Sequence, residues 1–299
     1  MTENPFYRYS AIIDRPQLEW RDGQRLAVYV GLNVEHYAFG QKSVGLLESV
    51  AGRNPDPINF SWRDYGVRVG VWRMADLFDR LAIRPSVLLN ADVCEAYPRI
   101  IEEGNKRGWS WVAHGKNNSM FASDDPKLSE DKERDYLQEV FDRIERSTGA
   151  RPKGWLGPLG LSETYATCRL LRDVGATYVL DWANDDQPYR LDAGQGSLLS
   201  VPYSFELNDL PLFVKNGADG RAFAQMVVDQ FDVLYAESRA IARVMPICIH
   251  PFVTGQPFRH KHFAEALAYI AGHRDVWITT ADEIAAFMEE RQRRTTPGD

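Results

Sequence analysis

Groups able to move protons or bind a metal recur where the sequence predicts strands to end. Glu35 and His36 follow the apolar run at 26–34, and His114 follows the run at 109–113. Asp181 follows 177–180, and His250 follows 244–249. In parallel α/β sheets chemistry collects just past the carboxyl ends of strands. Glu35 beside His36 reads as a general base next to a candidate metal ligand, or else as a carboxylate capping a turn beside a packed histidine. Gly115, directly after His114, lets the loop turn sharply, and Pro251 restricts His250 to extended backbone. Asp185 and Asp186, beyond Asp181, read equally well as a solvated turn. Three of the six histidines fall at such ends, together with two carboxylates. Jointly they suit hydrolysis of an amide-like bond, which needs a base for water, stabilisation of an oxyanion and an acid for the leaving nitrogen.

The elements that must position these groups alternate. Residues 26–36 read as a strand buried on both faces. Val67, Val71, Met74, Leu77, Phe78 and Leu81 recur at helical spacing and predict a helix over about 67–82. Strands are expected at 85–90, 109–113, 153–156, 177–180, 198–202, 244–249 and 276–278. Helices are expected at 95–107, 129–148 with Ser129 as cap and Gly149 as stop, 162–174 with Ser162 as cap, near 223–234, 260–272 and from 281. Residues 37–65 read as one long loop. Strand–helix alternation implies a parallel sheet wrapped by helices, closed or nearly closed so that its strand ends share one mouth. The expected organisation is an arm at 1–25 lying on one domain at 26–299.

The chain of 299 residues carries a net charge of −7 and is 44% apolar. An acidic surface argues against nucleic acid or an anionic membrane as partner. No apolar run approaches the roughly 20 residues that span a bilayer. The polar amino end, with Asp14, Arg15 and Pro16, does not read as a signal peptide. Cys94, Cys168 and Cys248 have no metal-knuckle spacing and read as buried free thiols, so a reduced cytoplasm is expected.

With these residues in view, the chain resembles the polysaccharide deacetylase (NodB-homology) superfamily, and within it the allantoinase-like branch. The resemblance rests on Asn33-Val34-Glu35-His36, on His114-Gly-Lys-Asn-Asn118-Ser119, on Trp155-Leu-Gly-Pro158, on Asp181-Trp182, on His250-Pro251 and on Tyr65-Gly66-Val-Arg68-Val-Gly70. It implies an α/β fold, a distorted (β/α)7 barrel of the glycoside hydrolase/deacetylase type. It further implies Glu35 at the position of the catalytic base, His36 at that of a metal-binding carboxylate and His250 near the leaving group. Asn118 replaces the second metal histidine, and the third motif lacks its arginine. An amide is a poor zinc ligand, and zinc needs three protein ligands of His, Asp, Glu or Cys type. The sequence therefore leans to a metal-free site, with His36 and His114 as ligands if a divalent metal is bound.

The leading expectation is a cytoplasmic hydrolase of a carbon–nitrogen bond in a small polar substrate, such as a cyclic ureide. Glu35 would activate water and His250 protonate the leaving nitrogen, while His114 and His36 polarise the carbonyl. Asn118, Asp181, Trp182, Arg68 and Pro158 would line the substrate. Arg68 has a rigid donor fork suited to planar oxygens, and equally could form a salt bridge along a helix face. Two other readings stand beside this one: a metal-dependent N-deacetylase of an amino sugar or oligosaccharide, and a barrel that binds a small molecule without chemistry. A homo-oligomer is expected from the resemblance alone.

Overall fold

A computed structural model of the chain describes residues 4–41, 43–47, 49, 53–119, 128–158 and 164–295. Strand β1 (Leu26–Val34) is buried along all nine residues, as its apolar side chains on both faces require. The other described strands are β2 (Ser86–Leu89), β3 (Ser110–Ala113), β4 (Gly154–Trp155), β5 (Tyr178–Val179), β6 (Tyr189–Asp192), β7 (Ser197–Ser200), β8 (Arg243–Ile249) and β9 (Val276–Thr279). They form one curled sheet in the order β6-β7-β5-β4-β3-β2-β1-β8. Strand β9 lies beside the first half of β1, pairing Leu26 with Val276, and β2 takes its place from Gly31 onward. Every pairing is parallel except the β6–β7 hairpin. Seven of the eight parallel strands, β1–β5, β7 and β8, make the distorted (β/α)7 barrel expected from the sequence.

The curl does not end in a ladder among the described residues. Residues 201–208 fill the gap between β7 and β8 and are fastened to β1 and β8 by single bonds. The Tyr29 hydroxyl donates to the Pro202 carbonyl at 2.6 Å, and the Cys248 amide to the Leu207 carbonyl at 3.2 Å. Asn208 adds one isolated bridge to Cys248.

The helices are α1 (Pro57–Tyr65), α2 (Val71–Leu81), α3 (Ala91–Ala96), α4 (Pro98–Lys106), α5 (Glu130–Thr148), α6 (Thr167–Asp173), α7 (Asp209–Val214), α8 (Gly220–Glu237), α9 (Pro257–Ala271) and α10 (Ala281–Thr295). Apart from α10, their apolar faces pack on the outside of the sheet in one continuous core. Each fully buried large apolar side chain there, such as Phe78 or Phe141, contributes about 1.5–3 kcal/mol. Ser129 caps α5 by accepting the Lys132 amide at 3.4 Å, and Gly149 ends it with a φ of 79°. The Ser162 cap expected for the next helix lies outside the described residues.

A second core fills the barrel interior with Tyr29, Leu88, Val112, Tyr178 and Tyr203. Helix α10 closes its lower end. Its first amide, Ala281, donates to Ser86 Oγ at 2.8 Å, and Asp282 accepts from Ser110 Oγ and the Tyr178 hydroxyl. The amino-terminal segment joins this plug through Leu18 and Trp20, whose indole N–H donates to the Arg243 carbonyl at 3.0 Å. All three cysteines are buried and none is joined in a disulfide. Among the described residues no helix is long and apolar enough to cross a membrane.

Three expectations need correction. The loop at 37–65 ends in helix α1, where Asp56 caps by accepting the Asn59 amide at 3.1 Å and Pro57 occupies the first turn, where its missing N–H costs nothing. A π-type turn (Gly66–Gly70) then joins α1 to α2, so the helix at 67–82 is the end of a longer rod. The acid-rich turn after Asp181 runs into β6, a short edge strand half-buried at Tyr189 and Arg190 and exposed at Asp192, which no apolar alternation announces.

Candidate active site

Glu35 leaves β1 at its carboxyl end and turns inward, with its side chain 2% exposed. Its Oε2 accepts the Tyr37 hydroxyl at 2.5 Å. Its Oε1 accepts the Asn118 amide and faces two imidazoles, His114 Nε2 at 3.4 Å and His250 Nε2 at 3.7 Å. Three strand ends, those of β1, β3 and β8, thus meet on one oxygen atom.

The two histidines are held differently. His114 Nδ1 lies 2.8 Å from the Leu156 carbonyl, which can only accept, so that nitrogen carries a proton. Gly115 follows with a φ of 68°, and a Cβ there would stand 2.7 Å from Pro158 and 2.8 Å from the Tyr136 hydroxyl. His250 is gripped by Asp209, fully buried at the start of α7. Asp209 Oδ1 lies 2.7 Å from the ring Nδ1, while Oδ2 accepts the His250 amide at 2.8 Å and the Thr254 hydroxyl at 2.6 Å.

These contacts set the charges. Burial alone would raise the Glu35 carboxyl, but His250, His114 and Tyr37 outweigh it and hold it below the ordinary carboxylate range. Burial alone would lower His250, but the two carboxylates facing it, Glu35 and Asp209, raise it above the ordinary imidazole value. Both shifts favour the charged forms, a carboxylate on Glu35 and an imidazolium on His250.

Buried amides brace the strand ends. Asn90, just past β2, accepts the His36 amide at 2.9 Å and donates to the His114 carbonyl and to Asn118 Oδ1, the last at 3.2 Å. Asn33 donates to the Ile249 carbonyl at 3.2 Å, tying β1 to β8 one turn below the site. Neither amide was singled out from the sequence. Asp209 was missed as well; its only local sign is that Asn208-Asp209 opens a helix, with Asn208 accepting the Leu210 amide at 3.1 Å.

The remaining candidates are placed as follows. The His36 ring is half-buried, 5.8 Å from the ring of Tyr97, and burial lowers its pKa. Asp181 Oδ1 accepts the Gly157 amide at 2.6 Å, next to the carbonyl that holds His114. Asp181 therefore supports the β4 loop, and the carboxylate that pairs with His250 is Asp209. Trp182 packs on Phe6 and Tyr7 of the amino-terminal arm, 5.2 and 5.6 Å between ring centres. Pro158 is buried against Gly115. Arg68 is not brought to the cluster: its side chain is 73% exposed and pairs with Asp64 at 3.6 Å along the helical rod. The glycines around it explain that motif. A Cβ on Gly70 would meet the Pro251 carbonyl at 2.0 Å, and one on Gly66 the Phe252 amide at 2.9 Å. The rod packs backbone to backbone on the loop that carries His250.

The donor set does not fit the zinc site of the resemblance. Asn118 spends its amide nitrogen on Glu35 and its oxygen on Asn90. Among the described residues no three His, Cys, Asp or Glu side chains form a group that could hold a metal ion.

Comparison with known proteins agrees with this architecture. No family model matches the chain. A Schizosaccharomyces pombe protein described as "Putative polysaccharide deacetylase" is 26% identical over 238 residues, covering 74% of this chain and 73% of its own. The crystal structure of a "probable Polysaccharide deacetylase" from Pseudomonas aeruginosa PAO1 superposes with a TM-score of 0.82 at 27% identity, covering 95% of this chain and 96% of the other. That of Puue allantoinase superposes with a TM-score of 0.81 at 26% identity, covering 96% of each. The resemblance to the polysaccharide deacetylase superfamily, allantoinase-like structures included, therefore holds in both sequence and fold.

Proposed function

We propose that the chain is a hydrolase of a non-peptide carbon–nitrogen bond in a small polar substrate, with a cyclic ureide as the leading substrate class. The observation that carries the reading is the Glu35–His250 pair, a buried carboxyl 3.7 Å from an imidazole nitrogen whose ring is held on its far side by Asp209 at 2.7 Å. Amide hydrolysis begins from such a pair with the carboxyl ionised and the imidazole protonated, the forms that the two pKa shifts favour. Glu35 takes a proton from water as its oxygen attacks the carbonyl carbon. The carbon–nitrogen bond of the tetrahedral adduct then breaks, and the His250 Nε2 proton goes to the departing nitrogen. Holding Glu35 low keeps it ionised at neutral pH at some cost in basicity.

The names of the similar proteins support the bond type and divide on the substrate, polysaccharide in some and allantoin in another. Deacetylation of an amino sugar is the second reading. Purified protein incubated with allantoin, substituted hydantoins and N-acetylated sugars, beside a Glu35→Gln control, separates the two. Turnover of ring ureides alone supports the first. Turnover of N-acetyl sugars alone replaces it with the second, and no turnover of any substrate discards both.

A further inference from the structure

The amino-terminal arm, the edge strand β6 and helix α10 enclose a cleft of about 510 Å³ far from Glu35. One of its walls, Leu18, accepts the Ala242 amide at the start of β8, whereas His250 follows the end of that strand. Seven residues of extended chain separate them, about 23 Å. Four guanidinium groups line the cleft, those of Arg8, Arg15, Arg190 and Arg291. One carboxylate lines it, Asp185, and Arg15 takes both its oxygens at 2.7 and 2.6 Å. Arg190 donates to the neutral amide of Gln292 at 2.6 Å, and among the described residues neither it nor Arg8 has an acidic partner. Positive charge thus converges on one concave surface of a chain whose net charge is −7.

Like charges brought together repel, and a concave wall focuses their field. The arrangement is relieved by an anion that the rigid forks can grip. Three tyrosines join the lining: Tyr7 meets Tyr189 edge to face at 5.3 Å, and Tyr9 stands 92% exposed at the rim. Tyrosine faces take flat rings. The volume falls in the range of small-molecule sites.

We infer that this cleft is a second binding site, for a small organic anion built on a flat ring, with the anionic group held by Arg8 and Arg190 and the ring against Tyr7 and Tyr189. The inference stands apart from the proposed hydrolysis.

The test is calorimetric titration of the full chain and of its R8Q, R190Q and E35Q variants. The probes are adenosine 5′-monophosphate, hippurate, inorganic phosphate and adenosine, at low and high salt. Saturable binding of the nucleotide supports a phosphate as the anionic group, and binding of hippurate a carboxylate. Either should be weakened about tenfold or more by R8Q and by R190Q, weakened by salt and unchanged in E35Q. A matching rise in melting temperature gives a second readout. Binding of neither ring anion at millimolar concentration overturns the inference, as does binding insensitive to both arginine substitutions. Inorganic phosphate or adenosine binding as tightly as the nucleotide removes the two-part ligand. Self-assembly lost in the same variants assigns the cleft to a second copy of the chain instead.

Discussion

Asp209 grips His250 at two points, its Oδ1 2.7 Å from the ring Nδ1 and its Oδ2 2.8 Å from the backbone nitrogen. The first contact fixes which ring nitrogen carries the permanent proton, and the second fixes where the ring stands. Replacing Asp209 with Asn leaves the size unchanged but presents an amide that can donate to Nδ1 and invert the tautomer. D209N is expected to lower kcat by about 10²–10⁴-fold with KM little changed, measured on whichever substrate the panel identifies.

The pH profile follows from the same pair. His250 acts protonated and its pKa is raised, so activity falls as pH rises through that raised value. Glu35 acts ionised and its pKa is lowered, so activity falls as pH drops through that lowered value. The expected kcat/KM profile is a bell, and D209N should move its alkaline limb to lower pH. The linkage has the same sign. Glu35 adds stability above its unfolded pKa of about 4.3, and that contribution is lost as pH falls through the folded value. Unfolding of wild type and E35Q in urea between pH 3 and 7 should show the Glu35 contribution disappearing at the acid end.

Gly70 supports the acid from behind. A methyl group there collides with the Pro251 carbonyl, so the helical rod or the His250 loop must move. G70A is expected to cost about 2–4 kcal/mol in denaturant unfolding and to depress kcat in the fraction that stays folded.

Arg68 offers the contrasting case. It is exposed, and its ion pair with Asp64 is of a kind worth a few tenths of a kcal/mol. R68A should leave KM unchanged and alter stability by less than about 0.5 kcal/mol. A large rise in KM would put this arginine at the substrate.

Metal removal tests the reading of the donor set. With Asn118 committed to Glu35 and Asn90, turnover should survive exhaustive dialysis against EDTA, with elemental analysis below one zinc per ten chains counted as empty. Loss of turnover restored by zinc or manganese would return His36 and His114 to the role of ligands.

The parts of this molecule legible in the sequence are those written in local pattern. Strand β1 announces itself by an unbroken apolar run, and the helices by their spacing, because one face of each must be buried. Glu35, His114 and His250 were legible because each stands directly after such a run, although Asp181 stands after one too and turns to the Gly157 amide instead. Asp209 was not, since no strand precedes it and its partner lies 41 residues away. Asn90 and Asn33 look like ordinary strand-end amides until the strands are side by side. The glycines at 66 and 70 were read beside the charge between them, although what they provide is room for another backbone.

The seam between β7 and β8 gives the barrel one wall that is pinned and not woven. Asp209 hangs from the pinned side, directly after Asn208, and His250 from the woven side, at the end of β8. In the proposed mechanism, opening this seam would separate the proton donor from the group that orients it even with every strand ladder intact.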